Sequence, residues 1–536
     1  MDTLREFAEA PGAFGYAQLE RAVAFARRHW LFLLIFTAGF LLRLVVTVTY
    51  RPGLELYGDS YDYLVKANTL VPGPWNPAGY PLFLRVLSVT GTLGVVPLVQ
   101  HLLGLGIGVA VYALLLRLGI RRPLAALGAV PVLLDAYQVD IEQFVLAETL
   151  TEALLVAATL LLLWRRRTGP AVGAAVGALI ALAIITRSAV IPVLAVVGLY
   201  LLIRRHWRAV GTFVLGAAAV IVPYGLWNFH YYGSFGVTDY SGYFLYGRVA
   251  TFATCNYPLS ADERLLCPRQ PVDQRPYNQD YYVWLKGTPL QRAPLGSLAQ
   301  RNLVAERFSE KVILQQPLDY AKVVFDDTWH YFAPGRSVAP NANVADFVRW
   351  QFPGPHLNGN AGIRINGHLD QYHIYFANFG FNDRPVLPSP DFGFLGLLRT
   401  YQSFAYMQGP VLLACLVGAL IVGLRRRRSD PDRAPARSAA LVLALAGLAM
   451  LVLPSLTTGF SYRYELLVYT FLPPAGVIAA DFALDSLGRR AARRRELAEQ
   501  GVAAPGLGEL RLPLLRRSNG SGDHGDVRAK VDQGGR

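Results

Sequence analysis

Long apolar runs separated by short connections dominate the pattern of the chain. Each run has about 17 to 25 residues, which as a helix is long enough to cross a hydrocarbon core of about 30 Å. The pattern therefore predicts an all-α polytopic membrane protein with about ten transmembrane helices. The predicted spans are residues 31–50, 93–116, 123–139, 146–164, 169–186, 188–203, 209–228, 407–424, 438–456 and 463–483.

Composition agrees with this reading. Of the 536 residues, 53% are hydrophobic and only 16% are charged, whereas a soluble chain of this length would carry more charge. The first run begins near residue 30, is too long for a secretory signal, and lacks a small-residue cleavage site after it. It is therefore predicted to be a true span.

Basic residues mark every second connection between the spans. Arg27 and Arg28 precede the first span, and arginine clusters follow spans two, four, six, eight and ten. Because basic residues concentrate on the cytoplasmic side, this predicts that both termini lie in the cytoplasm. High usage of Ala, Leu, Arg and Gly with little Lys suggests a bacterial genome, so the membrane is predicted to be a bacterial plasma membrane. The net charge of +14 is mostly this signal. Its clustering against apolar spans argues against nucleic-acid binding.

The chain divides into five predicted segments. The long outside segment is rich in aromatic residues, Asn and Pro, and has apolar positions at helical spacing, which indicates an α-rich extracytoplasmic domain between spans seven and eight. The segments are a cytoplasmic segment 1–30, a seven-span module 31–228 with an external loop 51–92, the extracytoplasmic domain 229–406, a three-span module 407–483 and a basic, disordered cytoplasmic tail 484–536.

Two of the three cysteines fall in the predicted outside domain. Cys255 and Cys267 could form a disulfide in an oxidising compartment, with two free thiols as the alternative.

The first external loop, "YGDSYDYLVKANTLVPGPWNPAGYPLFLRV", places two carboxylates at a membrane exit. An acid there is costly unless it faces water or a partner, so it is a functional candidate, with an ordinary solvated acid as the alternative. A helix from Asp59 would place Asp59, Asp62, Tyr63 and Lys66 on one face. The proline-rich stretch that follows would hold that face rigidly.

A second group of acids lies between spans three and four, in "DAYQVDIEQFVLAETLTEALL". Glu148 and Glu152 share a helix face at the start of span four. Asp140 and Glu142 lie in the turn before it. Acids at a helix N-terminus also complement the helix dipole, which is a structural alternative to a chemical role.

Three arginines lie near the predicted outer ends of spans. Arg187 and Arg463 interrupt apolar sequence, and Arg248 follows the seventh span. Guanidinium groups can bind a phosphate or diphosphate by bidentate hydrogen bonds. Snorkelling or pairing with the acids above is the alternative. No P-loop, G-x-S-x-G or H-E-x-x-H motif occurs in the sequence.

Four segments, taken in order, resemble the GT-C superfamily of polytopic glycosyltransferases that use lipid-phosphate sugars. They resemble most its bacterial branch related to protein mannosyltransferases and the lipid A aminoarabinose transferase. The segments are "GDSYDYLVKANTL" with "NPAGYPLFL", "FVLAETLTEALL", "VPYGLWNFHYYGSFG" and "SYRYELLVYTFLPPAGV".

The resemblance implies catalytic roles for Asp59, as general base, and for Glu148, near the acceptor or ordering a water or metal. It also implies phosphate stabilisation by Arg463 or Arg187. The wider substrate-binding set is Asp62, Tyr63, Lys66, Tyr80, Arg187, Arg248, Arg463 and Tyr464. Many members carry an Asp-Glu pair in the first loop, whereas Ser60 follows Asp59 here. A divalent metal therefore stays an open question, and no other cofactor is implied.

The implied partners are a polyprenyl-phosphate sugar donor and a glycan, lipid or protein acceptor. A transporter or flippase for a lipid-linked or small solute is the main alternative, because intramembrane acids and arginines also suit transport. An envelope-glycan polymerase or ligase and a non-catalytic scaffold are further alternatives. The absence of an internal repeat and the large late domain argue against a secondary transporter.

Overall fold

The fold was examined in a computed structural model that describes residues 10–54, 58–165, 167–336, 352, 392–425 and 431–500. These residues form an all-α structure without a named strand; their isolated β-bridge joins Leu54 to Phe144. Met1–Phe482 forms one compact unit and Ala483–Arg536 a second. The predicted all-α class is confirmed for the described part of the chain. Residues 337–351 and 353–391 of the predicted domain 229–406, and residues 501–536 of the predicted tail 484–536, lie outside the described residues.

The first half of the chain carries the helices that hold the two acidic segments. They are α1 (Ala10–Thr49), α2 (Asp59–Thr69), α3 (Gly79–Leu87), α4 (Val95–Arg117), α5 (Arg122–Gly128), α6 (Val130–Leu134), α7 (Ala136–Gln143), α8 (Glu148–Trp164), α9 (Pro170–Thr186), α10 (Ile191–Ile203) and α11 (Trp207–Tyr232).

The second half begins with short helices and returns to long apolar ones. They are α12 (Ser241–Ala250), α13 (Ala261–Arg264), α14 (Gln279–Trp284), α15 (Pro289–Arg292), α16 (Leu298–Gln315), α17 (Pro317–His330), α18 (Phe392–Gln402), α19 (Gly409–Leu424), α20 (Ala434–Thr457), α21 (Tyr462–Leu466) and α22 (Leu472–Glu499).

Four helical stretches of the described chain are long and apolar enough to cross a membrane, by length and composition. They are Gln18–Thr49, Val95–Arg117, Trp207–Tyr232 and Ala434–Thr457. Shorter apolar helices cover Pro170–Thr186, Ser188–Ile203 and Gly409–Leu424. These helices fit a membrane protein, whereas the number of ten spans and their orientation stay predictions.

The segment 123–139, predicted as one span, consists of α5, α6 and the start of α7. Asp135 interrupts the helix because its backbone is extended and its side chain caps α7. Its Oδ1 accepts the N–H groups of Tyr137 and Gln138, at 2.8 and 3.2 Å, and its Oδ2 accepts that of Met407 at 2.6 Å. The acid in this apolar run is therefore a satisfied helix cap.

The apolar helices pack closely, and α9 lies along α11. Gly177 makes this approach possible, since a Cβ built there would lie 2.9 Å from the backbone carbon of Phe213 and 3.0 Å from the nitrogen of Ala217. Small residues at such contacts let helix backbones meet in an apolar environment.

The segment that follows α11 has a small core of its own. Tyr243, Tyr246 and Phe308 are buried where α12 packs against α16. Cys255 and Cys267 are joined as a disulfide with their Cα atoms 6.2 Å apart. The described part of the predicted outside domain is therefore helical with long connections.

The N-terminus of α3 abuts the C-terminus of α9. A Cβ on Gly79 would lie 2.5 Å from the carbonyl oxygen of Ile185 and 2.8 Å from the backbone nitrogen of Thr186. Only glycine fits this approach without a shift of the backbone. The approach places the proline-rich part of the first loop beside Arg187, the residue that follows α9.

We expect Gly79→Ala to lower the free energy of unfolding by about 1–3 kcal/mol, because its methyl group would overpack two backbones. Gly106→Ala in α4 is the matched control, since a Cβ there meets nothing within 4 Å. It should be neutral or stabilising by up to about 1 kcal/mol. Thermal unfolding in detergent measures the stability of both variants. An equal change in stability for Gly79→Ala and Gly106→Ala would contradict the close approach of α3 to α9.

Candidate functional site

The predicted first external loop contains α2, the helix from Asp59 that its pattern predicted, followed by α3. Gly58 precedes the helix at φ 90°, a left-handed conformation that favours glycine. Asp59 and Asp62 lie in the first turn, where carboxylates complement the helix dipole. Tyr63 and Lys66 are buried, and Asp59 and Asp62 keep part of their surface exposed.

The guanidinium group of Arg463 lies between two carboxylates. Its Nη1 donates to Asp59 Oδ2. Its Nη2 donates to Glu148 Oε2 at 3.2 Å, and its Nε pairs with Glu148 Oε1. Arg187 Nη1 also donates to Glu148 Oε1 at 2.7 Å. The structure thus brings together four predicted residues from four distant parts of the sequence.

Asn76 joins the two acids of α2 and was missed by sequence reasoning. Its Nδ2 lies 3.4 Å from Asp59 Oδ1 and 3.3 Å from Asp62 Oδ2. Lys66 Nζ pairs with Asp62 and donates to the carbonyl oxygen of Asn76 at 3.2 Å. The sequence feature that could have identified Asn76 is its place in "WNPAGYP", in the proline-rich stretch between α2 and α3.

The cluster has balanced formal charge, with three carboxylates (Asp59, Asp62 and Glu148) facing three cations (Lys66, Arg187 and Arg463). Burial alone would raise the pKa of Asp59, but pairing with Arg463 holds it below its ordinary value. Burial raises the pKa of Asp62 and lowers that of Lys66. Asp59 is therefore the carboxyl group of α2 that stays ionised most readily.

Three predicted tyrosines surround the charges. The rings of Tyr63 and Tyr80 meet edge to face at 5.0 Å, and both are buried. The Tyr80 hydroxyl donates to Gln100 Oε1 at 2.8 Å. The Arg187 guanidinium carbon lies 5.2 Å from the ring centre of Tyr464. Tyr464 therefore contacts a cation of the cluster directly, whereas the described hydrogen bond of the Tyr80 hydroxyl anchors α3 to α4.

Arg248 is fully buried in a separate ion pair with Asp327. Asp327 also accepts a hydrogen bond from Tyr277 and the N–H of Phe460 at 3.0 Å. Within the described chain, Arg248 Nε and Nη2 have no hydrogen-bond partner. A phosphate role for Arg248 stays a prediction, and its ion pair supports the start of the segment that carries Arg463.

Contacts with the segment after α11 hold the stiff part of the first loop. The carbonyl oxygen of Pro74 accepts the N–H groups of Asp239 and Tyr240, at 3.1 and 3.2 Å. The ring of Trp75 lies 4.7–6.1 Å from four other aromatic rings, those of Tyr240, Tyr243, Phe244 and Trp284. These contacts fix the position of Asn76 relative to α2.

The second acidic segment divides into different environments. Glu142 binds Arg43 at 2.7 Å and His101 at 2.9 Å, which ties α7 to α1 and α4. Glu152 Oε2 accepts a hydrogen bond from Gln138 at 2.8 Å. Both carboxylate oxygens of Asp140 lack a hydrogen-bond partner in the described part of the chain. Glu148 alone of this segment joins the described ion pairs around Asp59.

The residues at the site do not form a metal-ligand set. Across the described ranges, no group of three or more His, Cys, Asp or Glu side chains could hold a metal ion. The carboxylates of Asp59, Asp62 and Glu148 are each bound to a lysine or an arginine.

Comparison with known proteins found two structures of one protein. Neither a protein-family profile nor a curated protein matches the chain. Matching structures include ArnT from Cupriavidus metallidurans bound to undecaprenyl phosphate, at 16% identity and a TM-score of 0.31, covering 87% of this chain and 80% of that one. The apo state of the same protein matches at 14% identity and a TM-score of 0.31, covering 85% and 78%. At these values the likeness carries no functional argument.

Replacing Glu148 with Gln should lower the free energy of unfolding by about 3–5 kcal/mol, because two buried guanidinium groups would lose their shared carboxylate. Adding Arg187→Met should recover part of the loss, since it removes one unpaired charge. Thermal unfolding of the single and double variants in detergent measures this coupling.

Glu152→Gln is the matched control for Glu148→Gln. It lies one turn further along α8, is equally buried, and binds an amide instead of an arginine. Glu152→Gln should lower the free energy of unfolding much less than Glu148→Gln does. An equal loss of stability in Glu152→Gln and Glu148→Gln would contradict a carboxylate shared by two arginines. So would a double variant, Glu148→Gln with Arg187→Met, whose loss equals the sum of the two single losses.

Proposed function

We propose that the chain is a membrane glycosyltransferase that moves a sugar from a polyprenyl-phosphate donor to an extracytoplasmic acceptor. One observation carries the proposal: Arg463 bridges Asp59 and Glu148 beside the buried Arg187. A carboxylate able to accept a proton and guanidinium groups able to bind a phosphate thus lie within one cluster. The sequence resemblance to lipid-phosphate-dependent glycosyltransferases supports the same chemistry.

The two arginines would bind the phosphate of the donor. Guanidinium groups bind phosphate oxygens in the same bidentate way as carboxylates, so a phosphate could replace a carboxylate as their partner. Arg187 Nε is buried and has no hydrogen-bond partner in the described structure.

Asp59 would act as the general base. It would take the proton of an acceptor hydroxyl while that oxygen attacks the anomeric carbon. The bond from the anomeric carbon to the phosphate oxygen would break, and the lipid phosphate would leave with the electron pair. Arg463 and Arg187 would stabilise the charge that develops there. Attack opposite the leaving group would invert the anomeric centre.

Glu148 would hold the arginines in place. Its side chain is fully buried, and both of its oxygens are engaged by guanidinium groups. A carboxylate so placed keeps the two guanidinium groups next to each other, because both bind the same acid. We therefore propose that Glu148 acts through the arginines in this transfer.

Donor binding would also release the base. Without a donor, Asp59 is paired with Arg463, and this pairing lowers the basicity of its carboxylate. A donor phosphate that draws Arg463 away would raise the pKa of Asp59, because the phosphate is itself an anion. The carboxylate would then become a stronger base when the sugar is in place.

Asp59→Asn should reduce sugar transfer by about 10²–10⁴-fold, the usual contribution of a general base. Asp62→Asn is the matched control on the next turn of α2, and its effect should be smaller. The assay uses membranes with equal amounts of each variant and a panel of polyprenyl-phosphate sugars. Equal transfer by Asp59→Asn and wild type would refute the assignment. Movement of donor lipid across the membrane without transfer would favour a transporter.

Activity should fall as pH falls through the pKa of Asp59, since the base must be ionised. The profile of kcat/KM reports the free enzyme and that of kcat reports the complex. Because Arg463 depresses the pKa in the free enzyme, the acid limb of kcat should lie at higher pH than that of kcat/KM.

Arg463→Gln should move the acid limb of kcat/KM to higher pH. Arg187→Gln should move it less, because Arg187 acts on Asp59 from further away and binds Glu148 instead. If the acid limbs of kcat and kcat/KM coincide in the wild type, release of the base by the donor is contradicted. The same holds if the acid limb of kcat/KM does not move in Arg463→Gln.

A further inference from the structure

A basic pocket lies at the end of α1 that is remote from the candidate site. It is a cavity of about 660 Å³ between residues 19–28 of α1 and the start of α5, which we call the arginine pocket. Because α1 leads from the pocket to the loop that carries Asp59, the two lie at opposite ends of a membrane-length helix. The pocket is lined by Leu19, Glu20, Val23, Ala24, Arg27, Arg28 and Arg122.

Two neighbouring ridges of α1 form one wall of the arginine pocket. Residues four apart on a helix share a face, so each ridge ends in an arginine. One ridge runs through Leu19, Val23 and Arg27, and the other through Glu20, Ala24 and Arg28. Arg122 faces them from α5.

The charges of the arginine pocket are not balanced among the described residues that line it. Three guanidinium groups face a single carboxylate, that of Glu20. Among the described residues, Arg27, Arg28 and Arg122 form no ion pair. The pocket therefore complements an anion.

The same stretch of α1 also exposes apolar side chains. Leu19 is 61% exposed, Val23 42% and Phe25 56%, and Trp30 follows at 62%. The helix is distorted at His29, whose backbone has φ −117° and ψ 16°. A basic helix with exposed apolar and Trp side chains next to a span is typical of a segment that lies in the membrane interface.

Contacts at the distortion and just after it hold α1 in place beside the arginine pocket. His29 Nδ1 lies 2.7 Å from the hydroxyl of Tyr112. The ring of Phe32 stacks on that of Tyr112 at 4.0 Å. These contacts fix α1 against α4, which leads directly to Arg122.

We infer that the arginine pocket binds one anionic phospholipid from the leaflet opposite the candidate site. The lipid phosphate would contact Arg27, Arg28 and Arg122, and its acyl region would cover Leu19 and Val23. A zwitterionic lipid fits less well, because it cannot neutralise the excess of guanidinium charge. This site is separate from the donor site and does not depend on the proposed function.

The test is retention of phosphatidylglycerol by the full chain. The protein is reconstituted in nanodiscs of phosphatidylcholine with a minor fraction of phosphatidylglycerol, and lipids that stay bound after release are measured by native mass spectrometry. Wild type should retain phosphatidylglycerol in preference to phosphatidylcholine. The variant Arg27→Gln, Arg28→Gln, Arg122→Gln should bind it at least about tenfold more weakly.

The variant Arg204→Gln, Arg205→Gln, Arg208→Gln is the matched control. It removes the same charge from a connection on the same predicted side, and none of its residues lines the arginine pocket. It should retain phosphatidylglycerol like the wild type. An equal loss in both triple variants, or none in the first, would overturn the inference.

Two further measurements separate a lipid from a free anion. Leu19→Ser, Val23→Ser should weaken retention without changing the charge, and unchanged retention would refute the acyl contact. Excess inorganic phosphate should not displace the lipid, and displacement would show a simple anion site. If the triple variant fails to fold, Arg27→Gln and Arg122→Gln are compared singly, each with an intermediate loss expected.

Discussion

The geometry of the candidate site depends on one buried cation held between two carboxylates. Arg463 binds Asp59, 404 positions earlier in the chain, and Glu148, 315 positions earlier. A buried charge that loses one partner is strongly destabilising, by about 3–5 kcal/mol. The fold must therefore bring the first loop, the start of α8 and the start of α21 together, and this requirement constrains every helix between them.

The surrounding structure fixes Arg187 and the stiff loop independently. Gly79 lets α3 meet the end of α9, which positions Arg187 beside Glu148. Trp75 and the carbonyl of Pro74 attach the stiff loop to the segment after α11. Since each contact belongs to a different pair of elements, the ion pairs are set by rigid neighbours.

Local patterns predicted much of the site, because the spacing in α2 and the cost of charge near a membrane are properties of short sequences. They identified the face of Asp59, Asp62, Tyr63 and Lys66, and they singled out Glu148, Arg187 and Arg463. They did not show which acid meets which arginine, because such pairs depend on helix packing over hundreds of residues. They also missed Asn76, because its side chain reaches Asp59 and Asp62 only when the loop folds back onto α2.

The same limits explain the differences in the fold. The run 123–139 is apolar enough to suggest one span, but Asp135 finds three backbone N–H groups, one of them from Met407 far along the chain. Hydropathy measures how apolar a run is and carries no information about such a distant partner. The ion-pair partner of Arg248 was likewise not predicted, because Asp327 lies in a helix that sequence spacing did not connect to it.

Pairing with Arg463 has opposite consequences for Asp59. Burial would favour the neutral acid, which cannot act as a base, and the guanidinium keeps the carboxylate ionised. The same guanidinium makes that carboxylate a weak base. Under the proposed function, only a ligand that competes for Arg463 resolves this conflict, and a neutral sugar cannot do so. The ion pair would therefore make the reaction depend on an anionic donor, so that binding of the phosphate and activation of the base become one event.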